Sequence, residues 1–416
     1  MSATSVLNIP SSKSTVSVSI IDTTLNGDLP TAPFMGPTMN GFERWYGVGY
    51  AFLVTHQDSA GKIRRVVFDL GLPKDWDNDF SPAVLEMGKN LDGTMVAQKY
   101  VSEILTEGGL DLREIEALFW RHPRTPGSHW PPVTLPLHGI ADHAPVLARE
   151  FEGRGVRELD FASTQIEIGG LKALDYFNDG SFYLLSAPGH AIGHINALAR
   201  TTEDSFMYFA GDSFHHSSVL RPHGGATLPE EIQLPGHSCC SGRAFHAVHP
   251  VAGNSAALGP YSKVLGEAGS DANGIPFHAL PEGGIFMDLE ASRETVRAIQ
   301  RFDASPDVFV VASHDSSLVG VVEVFPADGS EWRAKGWKEG GKWGFLKDFE
   351  KAEPPFSLDA PIGLTSKGTF NAVDRARRAS ASPDAVIEEL FEGNLTETVG
   401  VVDVAEFGRG YGGRYR

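Results

Sequence analysis

The chain has 416 residues, enough to bury a sizeable core and more than one average domain requires. Its formal charge of −18 disfavours nucleic acid and anionic membranes as partners and suits an acidic enzyme acting on a small molecule. The two cysteines, Cys239 and Cys240, are neighbours that cannot staple a fold, so a reducing, cytoplasmic setting is expected, and no apolar run approaches membrane-spanning length.

Met1 to Val18 is rich in Ser and Thr, with no basic stretch leading into an apolar core, so no secretory signal is expected. Residues 1–40, with Pro30, Pro33 and Pro37, read as an extended N-terminal arm. Tyr50 to Thr55 and Arg65 to Leu70 read as paired strands, joined by the polar turn Asp58-Ser59-Ala60-Gly61-Lys62. In Met95 to Thr106, residues Val96, Tyr100, Val101, Ile104 and Leu105 share one helical face, and Gly108-Gly109 stops the helix. A short strand, Ala117 to Trp120, follows. Ile166 to Gly170 and Leu171 to Phe177 then suggest a hairpin.

Three apolar runs of strand length come next: Phe182 to Leu185, Ile195 to Ala199, and Phe206 to Ala210. Pro188-Gly189-His190 stands where the first stops, and Gly211-Asp212 where the third stops. A histidine and a carboxylate are thus delivered from strand ends into loops, where a rigid sheet can aim them at one point. Neutral imidazole and carboxylate suit Zn²⁺ and similar divalent ions. Residues 217–285, rich in Gly, Pro and His and without periodicity, read as a long insertion or lid. Asp288 can cap a helix through Arg293, Val296, Ile299 and Phe302. Val308 to Ala312 is a buried-strand run ending at Ser313-His314-Asp315. Residues 351–416 form a C-terminal extension, expected to be partly disordered. It holds one helical stretch, Ser382 to Phe391, and a Gly/Arg/Tyr tail too short to outweigh the acidity in favour of RNA.

Three ordered stretches, Ala187 to His194, Phe209 to His216 and Val310 to Leu318, together resemble the metallo-β-lactamase superfamily, in particular its fungal lactonase-like and thioesterase-like members. The resemblance extends more weakly from about Gly47 to Phe349. It implies an α/β fold, the αβ/βα sandwich of two mixed sheets flanked by helices, over residues 41–350. It further implies that His190, Asp212 and His314 are metal ligands, with Asp212 bridging two ions, and that Asp69-Leu70-Gly71 supports the site from behind. The implied activity is metal-dependent hydrolysis of a lactone, ester or thioester by water activated on Zn²⁺, one or two ions, with a place in fungal secondary metabolism. No nucleophilic side chain and no nucleotide cofactor are required, and the chain has neither a G-x-S-x-G elbow nor a Walker loop. Two alternatives stay open: a binding protein of this fold without a competent site, and an iron-dependent oxidoreductase of the same fold.

Other candidates carry plainer expectations. His56, His138, His143, His223, His237, His246, His249 and His278 read as surface or hydrogen-bonded core residues. His194 reads as packing beside the ligand turn, and His215 and His216 as support for the site or as substrate contacts. Trp332, Trp337, Trp343 and Phe345 read as core rather than as the rim of a pocket.

The superfamily places a His-x-His-x-Asp-His motif just after the strand that here ends at Trp120. This chain instead has Arg121-His122-Pro123-Arg124-Thr125-Pro126-Gly127-Ser128-His129-Trp130. His122 stands at the first ligand position, but Arg124 is a fixed cation that cannot bind a metal ion. Read one base later, the codons tell a different story. Pro123-Arg124, Thr125-Pro126 and Ser128-His129 each yield C-N-C, which permits His. Gly127-Ser128 yields G-N-T, which permits Asp, Pro126-Gly127 permits Leu, and Trp130-Pro131 must yield Gly. The shifted frame therefore permits His-x-His-Leu-Asp-His-x-Gly. We expect the transcript of this gene to encode that motif after Trp120, with extra residues before Phe151. Sequencing the messenger RNA checks this, and a transcript matching Arg121 to Asp142 as written defeats it.

Overall fold

The computed structural model describes residues 6–80, 82–89, 91–119, 155–191, 193–232, 234, 240–252, 258–265, 271–352 and 400–403. The block Arg121 to Asp142, His143 and His237, and the stretch Ser382 to Phe391 lie outside the described residues.

The strands, in chain order, are β1 (Val16–Asp22), β2 (Leu25–Pro30), β3 (Arg44–Gly47), β4 (Tyr50–Gln57), β5 (Ile63–Phe68), β6 (Thr94–Ala97), β7 (Ile115–Phe119) and β8 (Gly155–Glu158). They continue with β9 (Glu167–Ile168), β10 (Leu171–Asp175), β11 (Phe182–Ser186), β12 (Ile195–Arg200), β13 (Phe206–Gly211), β14 (Glu231–Ile232), β15 (Cys240–Ser241), β16 (Val308–Ala312) and β17 (Gly400–Asp403). Two six-stranded sheets result, in the orders β1-β4-β5-β7-β17-β8 and β16-β13-β12-β11-β10-β9. Both are mixed, because β5 pairs with β7 and β13 with β16 in parallel while their other pairs are antiparallel.

The sheets pack face to face, since alternate side chains of each strand point to one shared core. Val18, Ile20, Phe52 and Phe68 of the first sheet meet Phe182, Ala197, Phe209 and Val311 of the second. At the centre Phe52 stacks on Phe209, with ring centroids 3.9 Å apart and planes 7° from parallel. The outer face of the second sheet is covered by the helix Leu289–Asp303, through Val296, Ile299 and Phe302 against Tyr208, Val308 and Val310. The helix Val101–Glu107 covers the first sheet, with Val101 and Leu105 against Leu53, Val67 and Leu118. Helices outside two mixed sheets are the αβ/βα sandwich that the resemblance implied.

Most strands fall where periodicity puts them, including the hairpin at β4 and β5. There the Asp58 N–H donates to the Lys62 carbonyl and the Gly61 N–H to the Asp58 carbonyl. Asp288 caps its helix as expected, accepting from the Ala291 N–H at 3.0 Å. Two expectations change. Residues read as an extended arm instead supply β1, paired with β4 from Val16 to Asp22, and β2, the middle strand of a small sheet β3-β2-β6. The helix expected from Met95 starts at Val101, because Thr94 to Ala97 pair with Leu25 to Asp28 as β6. The chain turns there as Thr24 Oγ1 accepts from the N–H groups of Gln98 and Lys99, and tertiary pairing overrides the helical pattern.

The 217–285 insertion is a packed structure where it is described. It holds the β14–β15 hairpin, the helix Gly242–Val248 and a cluster of its own around Val251, Leu258, Tyr261 and Leu265. His249 and His278 are buried in it, His249 Nε2 bonding the Ile275 carbonyl at 2.8 Å and His278 Nδ1 bonding Ser218 Oγ at 2.9 Å. Trp332, Trp337 and Phe345 are core residues, as expected.

Burial pushes His249 down to about 4 and His278 well below its ordinary value. Both stay neutral when folded but take up a proton when unfolded below about pH 6.5. Their contribution is therefore full above that pH and is lost as the pH falls toward about 4. We expect the urea midpoint to drop across this window, and His249→Gln to flatten the drop. A midpoint independent of pH there counts against neutral burial.

Candidate metal centre

β11 ends at Ser186, and the turn after it closes when the Ala187 N–H donates to the His194 carbonyl at 3.0 Å. Gly189 is required in this turn. Its φ is +130°, and a Cβ would lie 2.2 Å from the Ser292 nitrogen of the neighbouring helix. That close approach lets the Asp288 N–H donate to the Gly189 carbonyl at 2.9 Å and the Met287 N–H to the His190 carbonyl at 3.3 Å. The His190 side chain is thereby set fully buried, with Nε2 3.5 Å from Asp212 Oδ2.

Asp212 leaves the end of β13, where the register with β16 shifts between Phe209 and Gly211 and Gly211 has a φ of +55°. Its backbone N–H donates to His194 Nε2 at 3.3 Å, while His194 Nδ1 donates to the Ala187 carbonyl at 3.1 Å. His194 thus braces Asp212 against the His190 turn, which agrees with packing beside that turn. Behind the site, Asp69 (φ +70°) accepts from the Leu70 and Gly71 N–H groups through Oδ1 and from Ser313 Oγ, at 3.3 Å, through Oδ2.

His314 follows β16 after Ser313, and its Nδ1 donates to the Val48 carbonyl at 2.7 Å. A carbonyl oxygen only accepts, so Nδ1 carries the hydrogen and the neutral ring presents a lone pair at Nε2. That atom lies 3.2 Å from Asp212 Oδ1. Two acceptors facing each other at this distance repel unless a cation lies between them, either a proton or a metal ion. The donor types fit a divalent ion such as zinc.

His190, Asp212 and His314 are therefore brought together. His215 joins them: one donor atom from each of His190, Asp212 and His215 lies within 4.8 Å of the others. The His215 ring is stacked on that of His314, with centroids 5.2 Å apart and planes 9° from parallel. The pair His215-His216, expected to act alike, divides. Residue 216 is extended, with φ −142° and ψ 136°, and successive extended residues point to opposite sides. His216 turns away, its Nδ1 bonding Ser218 Oγ at 2.7 Å and its Nε2 Asp348 Oδ2 at 3.1 Å. Two adjacent histidines after a strand-end aspartate were the available signal for His215, but only the backbone conformation separates one from the other. His122 lies outside the described residues. A surface cavity of about 320 Å³ lined by Asp28, Arg44, Trp45, Tyr46 and Asp348 includes none of the four converging side chains.

No family model matches the chain. It is 35% identical over 369 residues to the gamma-lactamase FDB1 of Fusarium pseudograminearum, covering 82% of this chain and 84% of that protein. It is 33% identical over 373 residues to the metallo-hydrolase mfmC of Annulohypoxylon moriforme, covering 83% and 90%. The chain belongs to the metallo-β-lactamase superfamily, among its fungal lactonase-like members. As a member of that superfamily it is, at the level of class, a metal-dependent hydrolase. A match of 36% identity to the cytochrome P450 monooxygenase mpaDE of Penicillium roqueforti covers 83% of this chain but 39% of that longer protein. A solved quorum-quenching N-acyl homoserine lactone hydrolase aligns with 76% of this chain, at 11% identity and a TM-score of 0.40. Among the described residues, no helix is long and apolar enough to cross a membrane.

Alanine at His190, Asp212, His215 or His314 is expected to weaken metal binding by more than about tenfold, with the circular dichroism spectrum unchanged. His216→Ala is expected to keep its metal. Elemental analysis of the purified variants decides, and full occupancy in all four, or loss in the His216 variant, contradicts this division of roles.

Proposed function

We propose that this member of the superfamily uses zinc to hydrolyse a lactone or a related cyclic acyl bond, with open esters and thioesters within reach of the same chemistry. One observation carries the reading: His314 Nε2 faces Asp212 Oδ1 at 3.2 Å while its Nδ1 is committed to a carbonyl. His190, Asp212, His215 and His314 would hold the ion, as imidazole and carboxylate donors of the kind zinc takes. When bound, a divalent ion lowers the pKa of water toward about 7 and polarises an acyl carbonyl, which is the chemistry such hydrolysis needs.

The rest is done by the chain itself. Asp212 places its two carboxylate oxygens toward imidazoles from different strand ends, His190 on one side and His314 on the other. His194 holds the Asp212 backbone, and Asp69 reaches the residue next to His314 through Ser313. These supports fix the donors before a substrate arrives, so little reorganisation is needed in the reaction. The burial of His190, Asp212 and His215 keeps bulk water from screening the charges that develop. The relative named a gamma-lactamase supports a ring-opening acyl substrate, and a role in fungal secondary metabolism belongs to the same proposal.

As written, the chain has Arg124, Pro126 and Gly127 in the block where the superfamily's remaining ligands stand, so at most one weakly held ion is expected of it. A protein carrying the His-x-His-x-Asp-His frame is expected to hold two ions and to turn over lactones, losing that activity on chelation and regaining it with zinc. Elemental analysis and a panel of lactones, esters and thioesters, run on both forms, test the reading. One iron per chain would favour an oxidoreductase instead. Absence of metal from both forms would leave a binding protein.

A further inference from the structure

We infer that Phe286 selects the substrate, and that the acyl group received at this centre carries an aromatic ring beside the bond to be cleaved. The inference rests on reading the four-residue cluster as a hydrolytic site. It deepens that reading by naming the substituent.

Aromatic rings from three separate segments surround the imidazoles. Phe34, from the loop after β2, lies 5.0 Å from the His215 ring, and Trp45 of β3 lies 6.4 Å from His314. Phe286, just before the capped helix, lies 5.7 Å from His190 and 5.9 Å from His215, edge-on at 76° to both. Phe34 and Trp45 are buried and pack on each other at 5.2 Å, so they form a fixed wall. Phe286 is different, because it keeps part of its surface exposed. His314 is the exposed member of the cluster, at 22% of its side chain, against 0% for His190 and 6% for Asp212. Among the described residues of this neighbourhood, His314 and Phe286 are thus two side chains that keep part of their surface exposed.

Phe286 is held in place beside the cluster. On its C-terminal side, the Met287 and Asp288 N–H groups donate to the carbonyls of His190 and Gly189. On its N-terminal side, the Ile285 N–H donates to the Pro33 carbonyl at 3.2 Å, next to Phe34. The ring is thus tied to the ligand turn and to the aromatic wall, and does not ride on a free loop. Holding a metal ion needs no phenyl ring here. A group entering past Phe286 meets a preset aromatic surface, and an aromatic pair gains about 0.5–1.5 kcal/mol beyond what burial of the same apolar area supplies. Saturated groups of equal size receive the area term alone.

Direct binding to the full-length, zinc-loaded chain tests this without relying on turnover. The probes are 3-phenylpropionate and 3-cyclohexylpropionate, acids of matched shape that differ in aromaticity. By calorimetry the phenyl acid is expected to bind about two- to tenfold tighter. Phe286→Leu is expected to bring the ratio to about one with metal content kept, while Phe286→Tyr preserves it. A wild-type ratio of one or below overturns the inference by itself, even if the Leu variant fails to fold. So does a ratio that survives Phe286→Leu. Turnover of the phenyl and cyclohexyl esters by the form carrying the His-x-His-x-Asp-His frame separates the two ideas. A binding preference without turnover leaves the aryl subsite standing and counts against the hydrolase reading. Turnover without any preference does the reverse.

Discussion

The hydrogen bond from His314 Nδ1 to the Val48 carbonyl, 2.7 Å long, sets the whole centre. Val48 lies two residues before β4 of the first sheet, and His314 two residues after β16 of the second. The Tyr50 N–H also donates to the Ser313 carbonyl, at 2.9 Å, close by on both segments. The site therefore lies on the seam between the two sheets. Its donors keep their spacing only while the Phe52–Phe209 stack and the surrounding core hold the sheets in register. A weakened core would loosen the site before it unfolded the protein, because strand ends move more than strand centres.

The helix Leu289–Asp303 carries this geometry to the far end of the second sheet. Its first turns contact the ligand turn, through the Asp288 N–H to Gly189 and Thr295 Oγ1 to the Pro188 carbonyl at 2.9 Å. Its last turn is anchored by Asp303, whose carboxylate accepts from Arg221 Nε at 2.9 Å and Nη2 at 2.6 Å and pairs with His223 at 3.0 Å. Burial alone would raise Asp303, but the Arg221 guanidinium holds it well below the usual carboxylate range. Lys338 completes this end by donating to the carbonyls of Asp303, Ser305 and Val308. Burial brings Lys338 down to about 8 against the pull of Asp303.

The two ends of this helix contrast a buried polar network with a candidate metal centre. At Asp303 the carboxylate meets the Arg221 guanidinium and the Lys338 donors meet carbonyls, so the network is closed within the chain. At Asp212 a carboxylate oxygen faces the His314 Nε2 at 3.2 Å, an arrangement that a shared proton or a divalent ion would complete. Composition does not distinguish the two, since each combines an aspartate with histidine in an apolar setting. Geometry does.

Much of this was legible in the residues. The strands at 182–186, 195–200, 206–211 and 308–312 are continuous apolar runs bounded by Gly, Pro or polar turns, a local pattern that backbone pairing merely completes. The convergence of His190, Asp212 and His314 was legible in part for the same reason, since each stands just beyond the end of such a run and strand ends deliver side chains to one edge of a sheet; their reading as metal ligands came from the resemblance. The start of the helix at Val101 and the fate of the first forty residues were not legible, because both depend on partners distant in sequence. Leu25 to Asp28 take Thr94 to Ala97 as a strand, and β4 takes Val16 to Asp22. The separate roles of His215 and His216 were likewise decided in three dimensions, by an extended backbone that sends one ring to Asp212 and its neighbour to Asp348. Residue type and local spacing thus determined the strands and the metal-suited donor types at their ends, while the fold class and the hydrolytic chemistry came from the resemblance carried by three ordered stretches. Which side chains converge, and which rings pack beside them, followed from long-range packing, since contacts between residues far apart in the chain leave no local periodicity to read.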